Sequence, residues 1–97
     1  MAKKSTKSTK TKTKQVRFDL FAPEAHKISL AGDFNDWDVY SLPMKKDKKG
    51  NWMISVKLNL GRHEYRFYAD GIWQDDPKAV ERIVNSFGSQ NSVRVIK

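Results

Sequence analysis

Two histidines, His26 and His63, are the only imidazoles in the chain. Their separation fits neither HExxH nor any comparable metal-ligand spacing. There is no cysteine, which excludes thiolate metal sites and disulfides. Carboxylates occur in two groups. Asp75 and Asp76 are adjacent, and in extended backbone neighbours point to opposite faces, so they make a poor acid/base pair. The proline that follows them marks a turn. Asp33, Asp36 and Asp38, in GDFNDWD, resemble a calcium loop only loosely, because its central glycine and closing glutamate are missing. No serine lies in a G-x-S-x-G elbow, and no glycine-rich phosphate loop follows a strand. Side chains of catalytic type are present without catalytic spacing. The expectation is a protein that is not an enzyme and that needs no metal and no cofactor.

The aromatic residues suggest a different chemistry. Trp37 sits between Asp36 and Asp38 in a polar loop, either folded back as a lid on the core or left exposed for stacking. Trp73 follows Asp70–Gly71 at a hairpin tip, beside Gln74 and two acids, with cross-strand packing as its plainer role. Asn35, Asn85, Gln90 and Asn91 lie in similar polar stretches. Two indoles in polar turns with amides nearby suit a carbohydrate. Sugar rings offer C–H faces for stacking, and amides both donate to and accept from hydroxyls. Trp52 alternates with Ile54 and belongs to a core or sheet. Arg66 has polar parity in a strand otherwise rich in aromatics, as a solvated charge or as a donor on a ligand-facing surface.

The elements that must position these residues are strands. Val16, Phe18 and Leu20 alternate with Arg17 and Asp19, the period-2 signature of a half-buried strand, and Pro23 ends it. Ile28 and Leu30 share a face in Lys27–Ala31. Gly32–Val39 reads as a loop, Tyr40–Met44 as a short edge piece interrupted by Pro43, and Lys45–Asn51 as a charged hairpin turn. Trp52, Ile54, Val56 and Leu58 alternate along the next strand. Leu60–Gly61 turns the chain, and His63–Ala69 returns with Tyr65, Phe67 and Ala69 on one parity. Asp70–Gly71 is a type I′ hairpin signal, and Ile72–Trp73 is a stub. Asp76–Pro77 opens an ordered loop or a single helical turn, Ser86–Ser92 is turn-like, and Val93–Ile96 is a last strand. About seven short antiparallel strands with turns every 8–12 residues indicate an all-β fold, an immunoglobulin-like β-sandwich. A five-stranded small barrel is the competing architecture.

The 97 residues set one small domain as the ceiling, too little chain for a catalytic barrel or a nucleotide-binding α/β fold. The net charge of +8 is concentrated at one end. Ala2–Lys14 holds six lysines and no acid, whereas from Gln15 onward 13 Lys and Arg face 11 Asp and Glu. Residues 1–14 are therefore expected to form a disordered Lys/Ser/Thr-rich tail, with the domain over 15–97. The tail could solubilise, tether weakly to nucleic acid or an anionic surface, or serve as a processing segment. No apolar run is long enough to span a membrane. The lack of a secretory h-region makes the cytoplasm the default location.

Three segments together carry a resemblance: AGDFNDW (Ala31–Trp37), GRHEYRFYADGIWQDDP (Gly61–Pro77) and NSFGSQNSVRVI (Asn85–Ile96). In order and spacing they resemble the family 48 carbohydrate-binding modules, which include the glycogen-binding domain of a kinase beta subunit and the modules preceding branching enzymes, isoamylases and pullulanases. The resemblance implies an immunoglobulin-like sandwich that binds α-1,4-linked glucan, as in glycogen or starch, without cleaving it. It places the two stacking tryptophans at Trp37 and Trp73. Arg66 stands where the family has a lysine that bonds sugar hydroxyls, keeping a donor with different geometry. Phe87 matches a leucine that packs within the curved glucan, and Ser89 and Asn91 match its polar neighbours. The implied partners are an α-glucan and a glycogen-metabolising enzyme or kinase, with no membrane and no nucleic acid. Two rivals remain beside it: a protein-interaction or regulatory sandwich with little sugar binding, and a nucleic-acid adaptor built on the lysine tail. Against the second, acids rim the aromatics and would repel a phosphate backbone.

Overall fold

A computed structural model describes residues 12–97; most of the lysine-rich tail lies outside them. The first strand, β1, runs over Thr13–Phe21, so Thr13 and Lys14, assigned to the tail from composition, belong to the sheet. Its partner β4 (Asn51–Asn59) is antiparallel in a register that sets Val16, Phe18 and Leu20 opposite Val56, Ile54 and Trp52. Directly opposed residues share a face, so the two alternating apolar rows line one side of the sheet. The two-residue β3 (Lys45–Lys46) completes this three-stranded sheet on the other side of β4.

The second sheet has five strands. β2 (Ile28–Gly32), β5 (Gly61–Ala69), β8 (Gln90–Ile96) and β7 (Glu81–Val84) pair in that order, and β6 (Ile72–Gln74) adds to β5. The two sheets pack face to face as an immunoglobulin-like sandwich; the barrel alternative does not occur. Phe18 of one sheet meets Tyr65 of the other edge-on, with ring centroids 4.9 Å apart. Leu30, Phe67, Ile28 and Leu58 fill the space around them. Trp52 is buried as its alternation predicts, and its indole N–H donates to the Ala22 carbonyl at 2.9 Å, which satisfies the one polar group of the ring.

Two connections differ from their sequence expectation. Residues 42–46 are not a simple edge piece, because the segment changes sheets. Leu30 N donates to Leu42 O and Met44 N to Ile28 O, after which Lys45 and Lys46 pair with β4. A strand was also missed at Glu81–Val84, and β8 begins at Gln90 rather than Val93. The 70–71 hairpin matches its prediction: Asp70 and Gly71 both have positive φ, 50° and 83°, the type I′ geometry that suits the twist of the flanking strands. No helix among the described residues is long and apolar enough to cross a membrane.

Candidate functional site

Strand alternation on β5 turns Tyr65, Phe67 and Ala69 inward and therefore presents Glu64, Arg66 and Tyr68 on the outer face of the five-stranded sheet. The type I′ hairpin lays Trp73 directly opposite Tyr68 on that face, with ring centroids 4.9 Å apart. Two further loops converge beside it.

The first loop is the 3-10 turn over Asp33–Asn35 and its continuation. Asp33, Asp38 and Asn35 hold this loop in place. Asp33 accepts from the Glu64 backbone N–H at 2.9 Å and lies 3.2 Å from His63 Nδ1, stitching the turn to β5. Asn35 accepts from Gly32 N–H and donates to Asp38 O and Ser41 Oγ. Asp38 accepts from Tyr40 N–H. Of the two loop aromatics, Phe34 turns inward against the core cluster. Asp36 and Trp37 both adopt left-handed backbone, with φ of 56° and 59°, a conformation that costs non-glycine residues energy. It swings the Trp37 ring away from the core onto Trp73, centroids 6.3 Å apart and planes inclined by 71°. Trp37 is therefore not a lid on the core.

The second loop is the turn between β7 and β8. Gly88, with φ of +85°, lets the chain reverse, and Phe87 projects from the tip at 92% exposure. A large apolar ring so exposed gains nothing from folding alone.

Together these elements form a groove of about 570 Å³. All six residues singled out from the sequence line it: Trp37, Arg66, Trp73, Phe87, Ser89 and Asn91. Asp33, Glu64, Asn85 and Ser86 line it as well. Glu64 was legible in principle, since it shares parity with Arg66. Asn35 and Gln90, the other amides noted from the sequence, are not in the lining.

The polar groups restrain one another. The Arg66 guanidinium lies 5.9 Å from the Trp73 ring centroid, within cation–π range. It donates from Nη1 to Ser89 Oγ at 3.3 Å and forms an ion pair from Nη2 with Asp75 at 3.0 Å. Asn91 is only 8% exposed. Its amide donates to Glu64 Oε1 at 3.0 Å and its oxygen accepts from Asn85 Nδ2 at 3.0 Å. That hydrogen bond from Asn91, helped by the Arg62 guanidinium, holds the Glu64 carboxyl below the usual glutamate range. Asp75 and Asp76 do point to opposite sides. Asp75 meets Arg66, whereas Asp76 is buried, accepting from Tyr65 Oη at 2.6 Å and from Lys78 N–H at 2.9 Å. Among the described residues no group of three or more His, Cys, Asp and Glu is arranged to hold a metal ion.

An aromatic corner edged by polar side chains has the form of a sugar site, and the sequence agrees with that form. Residues 5–84 match the family model described as carbohydrate-binding module 48, the isoamylase N-terminal domain. The chain belongs to this family. Similar proteins include Protein PTST homolog 2, chloroplastic, of Arabidopsis thaliana, 36% identical over 74% of this chain. The 5'-AMP-activated protein kinase subunit beta-1 of Rattus norvegicus is 35% identical over 72% of the chain. A 1,4-alpha-glucan branching enzyme GlgB of Pseudoalteromonas atlantica is 47% identical over 60% of it. The matched stretches make up 13%, 24% and 8% of those proteins' own lengths. In this family 48 module the model match ends at Val84, so Phe87, Ser89 and Asn91 lie beyond it.

Proposed function

We propose that this carbohydrate-binding module binds α-1,4-linked glucan (glycogen, starch and malto-oligosaccharides) and does not cleave it. The observation that carries the proposal is the pair of indoles, 6.3 Å apart and inclined by 71°. Sugar rings stacked on two such planes must turn from one to the next. Successive rings of a helically coiled α-1,4 chain do so, and those of a flat ribbon glycan do not. Trp37 and Trp73 form the platform, Arg66 and Asn91 supply hydrogen bonds, and Phe87 with Ser89 shapes the far wall.

The groove is open and its wall on one side is a single exposed ring, so the affinity is modest, a Kd of about 10–100 μM or roughly 5.5–7 kcal/mol. The names of the relatives support a glycogen-metabolising enzyme or kinase as the partner that such a module brings to glucan. Backbone amide shifts followed during titration with maltoheptaose test the reading, with cellohexaose as the flat-chain control. Saturable shifts at Trp37, Trp73 and Arg66 with maltoheptaose alone support it. No shift at millimolar maltoheptaose, or equal shifts with both sugars, overturns it.

A further inference from the structure

Phe87 at the tip of the β7–β8 turn has no packing partner in the core to fix it; at 92% exposure its position depends on the turn that carries it. That turn is organised by the side chain of Asn85. Asn85 Oδ1 accepts from the backbone N–H of Phe87 at 2.9 Å and of Ser89 at 3.2 Å. Its Nδ2 donates to Ser89 Oγ at 3.0 Å and to Asn91 Oδ1 at 3.0 Å. The backbone adds Asn85 N to Ser89 O at 2.8 Å and Gly88 N to Asn85 O at 3.2 Å. One amide therefore sets the backbone that aims Phe87, the rotamer of Ser89 and the orientation of Asn91.

We infer that Asn85 is a positioning residue for the sugar groove, acting through Phe87, Ser89 and Asn91. The inference rests on the glucan-binding reading of that groove. Asn85 uses both ends of its amide. The acceptor end builds the turn, as Asn does when its side chain caps backbone N–H groups two residues on. The donor end locks two side chains that face ligand. Without it the three residues become mobile in the free protein, and a ligand must order them as it binds, which weakens binding. The alternative, that Asn85 only stabilises the fold, predicts a loss of stability without a specific loss of affinity.

The experiment compares Asn85→Ala, Asn85→Asp, Phe87→Ala and the Asn85→Ala/Phe87→Ala double variant. It reads maltoheptaose affinity by calorimetry, thermal midpoint, and hydrogen exchange at the Phe87 and Ser89 amides without sugar. Asn85→Ala is expected to bind about tenfold more weakly, with faster exchange at both amides and a lowered midpoint, since the buried Asn91 Oδ1 loses its donor; the loss of affinity, measured well below that midpoint, is what a purely structural role would not produce. Asn85→Asp keeps the acceptor and loses the donors, so it restores the protection and recovers part of the affinity. The double variant is expected to lose less than the product of the two single losses, because neighbours acting through one another are non-additive. Asn85→Ala affinity within twofold of wild type overturns the inference, as do multiplicative losses in the double variant or unchanged amide exchange. A wild-type protein that binds no maltoheptaose refutes the glucan reading instead, while the exchange data still report whether Asn85 holds the turn.

Discussion

Removing the Tyr65 hydroxyl isolates the interaction that anchors the wall between core and groove. Tyr65 is 2% exposed, and its Oη donates to Asp76 Oδ2 at 2.6 Å. Asp76, 6% exposed, also binds Ser92 Oγ through its own N–H and Arg82 through its carbonyl. Tyr65→Phe keeps the ring against Phe18 and leaves one buried carboxylate oxygen without its donor. A hydrogen bond to a charged group contributes about 1.5–3 kcal/mol, and an orphaned buried acceptor costs a similar amount. For a domain of this size that is a fall in Tm of roughly 6–24 °C, measurable by calorimetry at pH 7. The pH dependence gives an independent check. Burial, with the Asp76 bond and charge adding to it, pushes the Tyr65 hydroxyl well above its ordinary 10. A group whose folded value is raised contributes stability that is complete below its unfolded value and is lost as the pH climbs toward the folded one. The wild type therefore loses stability above about pH 10, and Tyr65→Phe lacks that share of the loss. A Tm change under about 2 °C at pH 7, or an identical alkaline slope in both proteins, refutes the reasoning.

Glu64 supplies an acid-side counterpart at the groove itself. Its folded value lies below the ordinary 4.5, so its contribution to stability is complete above that value and lost as the pH falls through the folded one; the thermal midpoint is expected to hold from pH 7 to 5 and to fall as the pH drops below 4.5, and Glu64→Gln to remove that share of the fall. Gly32 has no room for a side chain: a Cβ there would meet Glu64 O at 2.6 Å and the Phe34 ring at 2.6 Å. Gly32→Ala is expected to cost about 1–3 kcal/mol in denaturant titrations and, by shifting the turn that carries Trp37, to weaken sugar binding; unchanged stability counts against the packing described.

Much of this was legible because it followed from period-2 alternation. β1, β4 and β5 each bury one apolar row, and the 70–71 turn needed a residue pair that tolerates positive φ. β7 left no such trace: in Glu81–Val84 all four residues are exposed, so no alternation between core and solvent was written into it. The change of sheet over residues 42–46 depends on backbone pairing with two strands far apart in sequence, which local patterning does not record. At the groove, residue types drew attention to Trp37, Arg66, Trp73 and Asn91, and the family resemblance added Phe87 and Ser89, six of the ten lining residues, without giving their state. The partners of Asn91, Glu64 and Asn85, come from another strand and from the far side of a turn, so nothing local in the sequence marks its amide as engaged. The outward orientation of Trp37 rests on two consecutive left-handed residues, and nothing in Asp-Trp-Asp demanded them.

In the reading proposed above, Trp37 and Trp73 bind sugar and do not hold up the fold. Calorimetric titration of maltoheptaose into the wild type, Trp37→Ala and Trp73→Ala, with the thermal midpoint of each, tests it most directly. The expected result is saturable wild-type binding, a loss of at least about 2 kcal/mol or roughly thirtyfold in each variant, and midpoints close to that of the wild type. Variants that bind as the wild type does, or that unfold before any sugar is added, would contradict it.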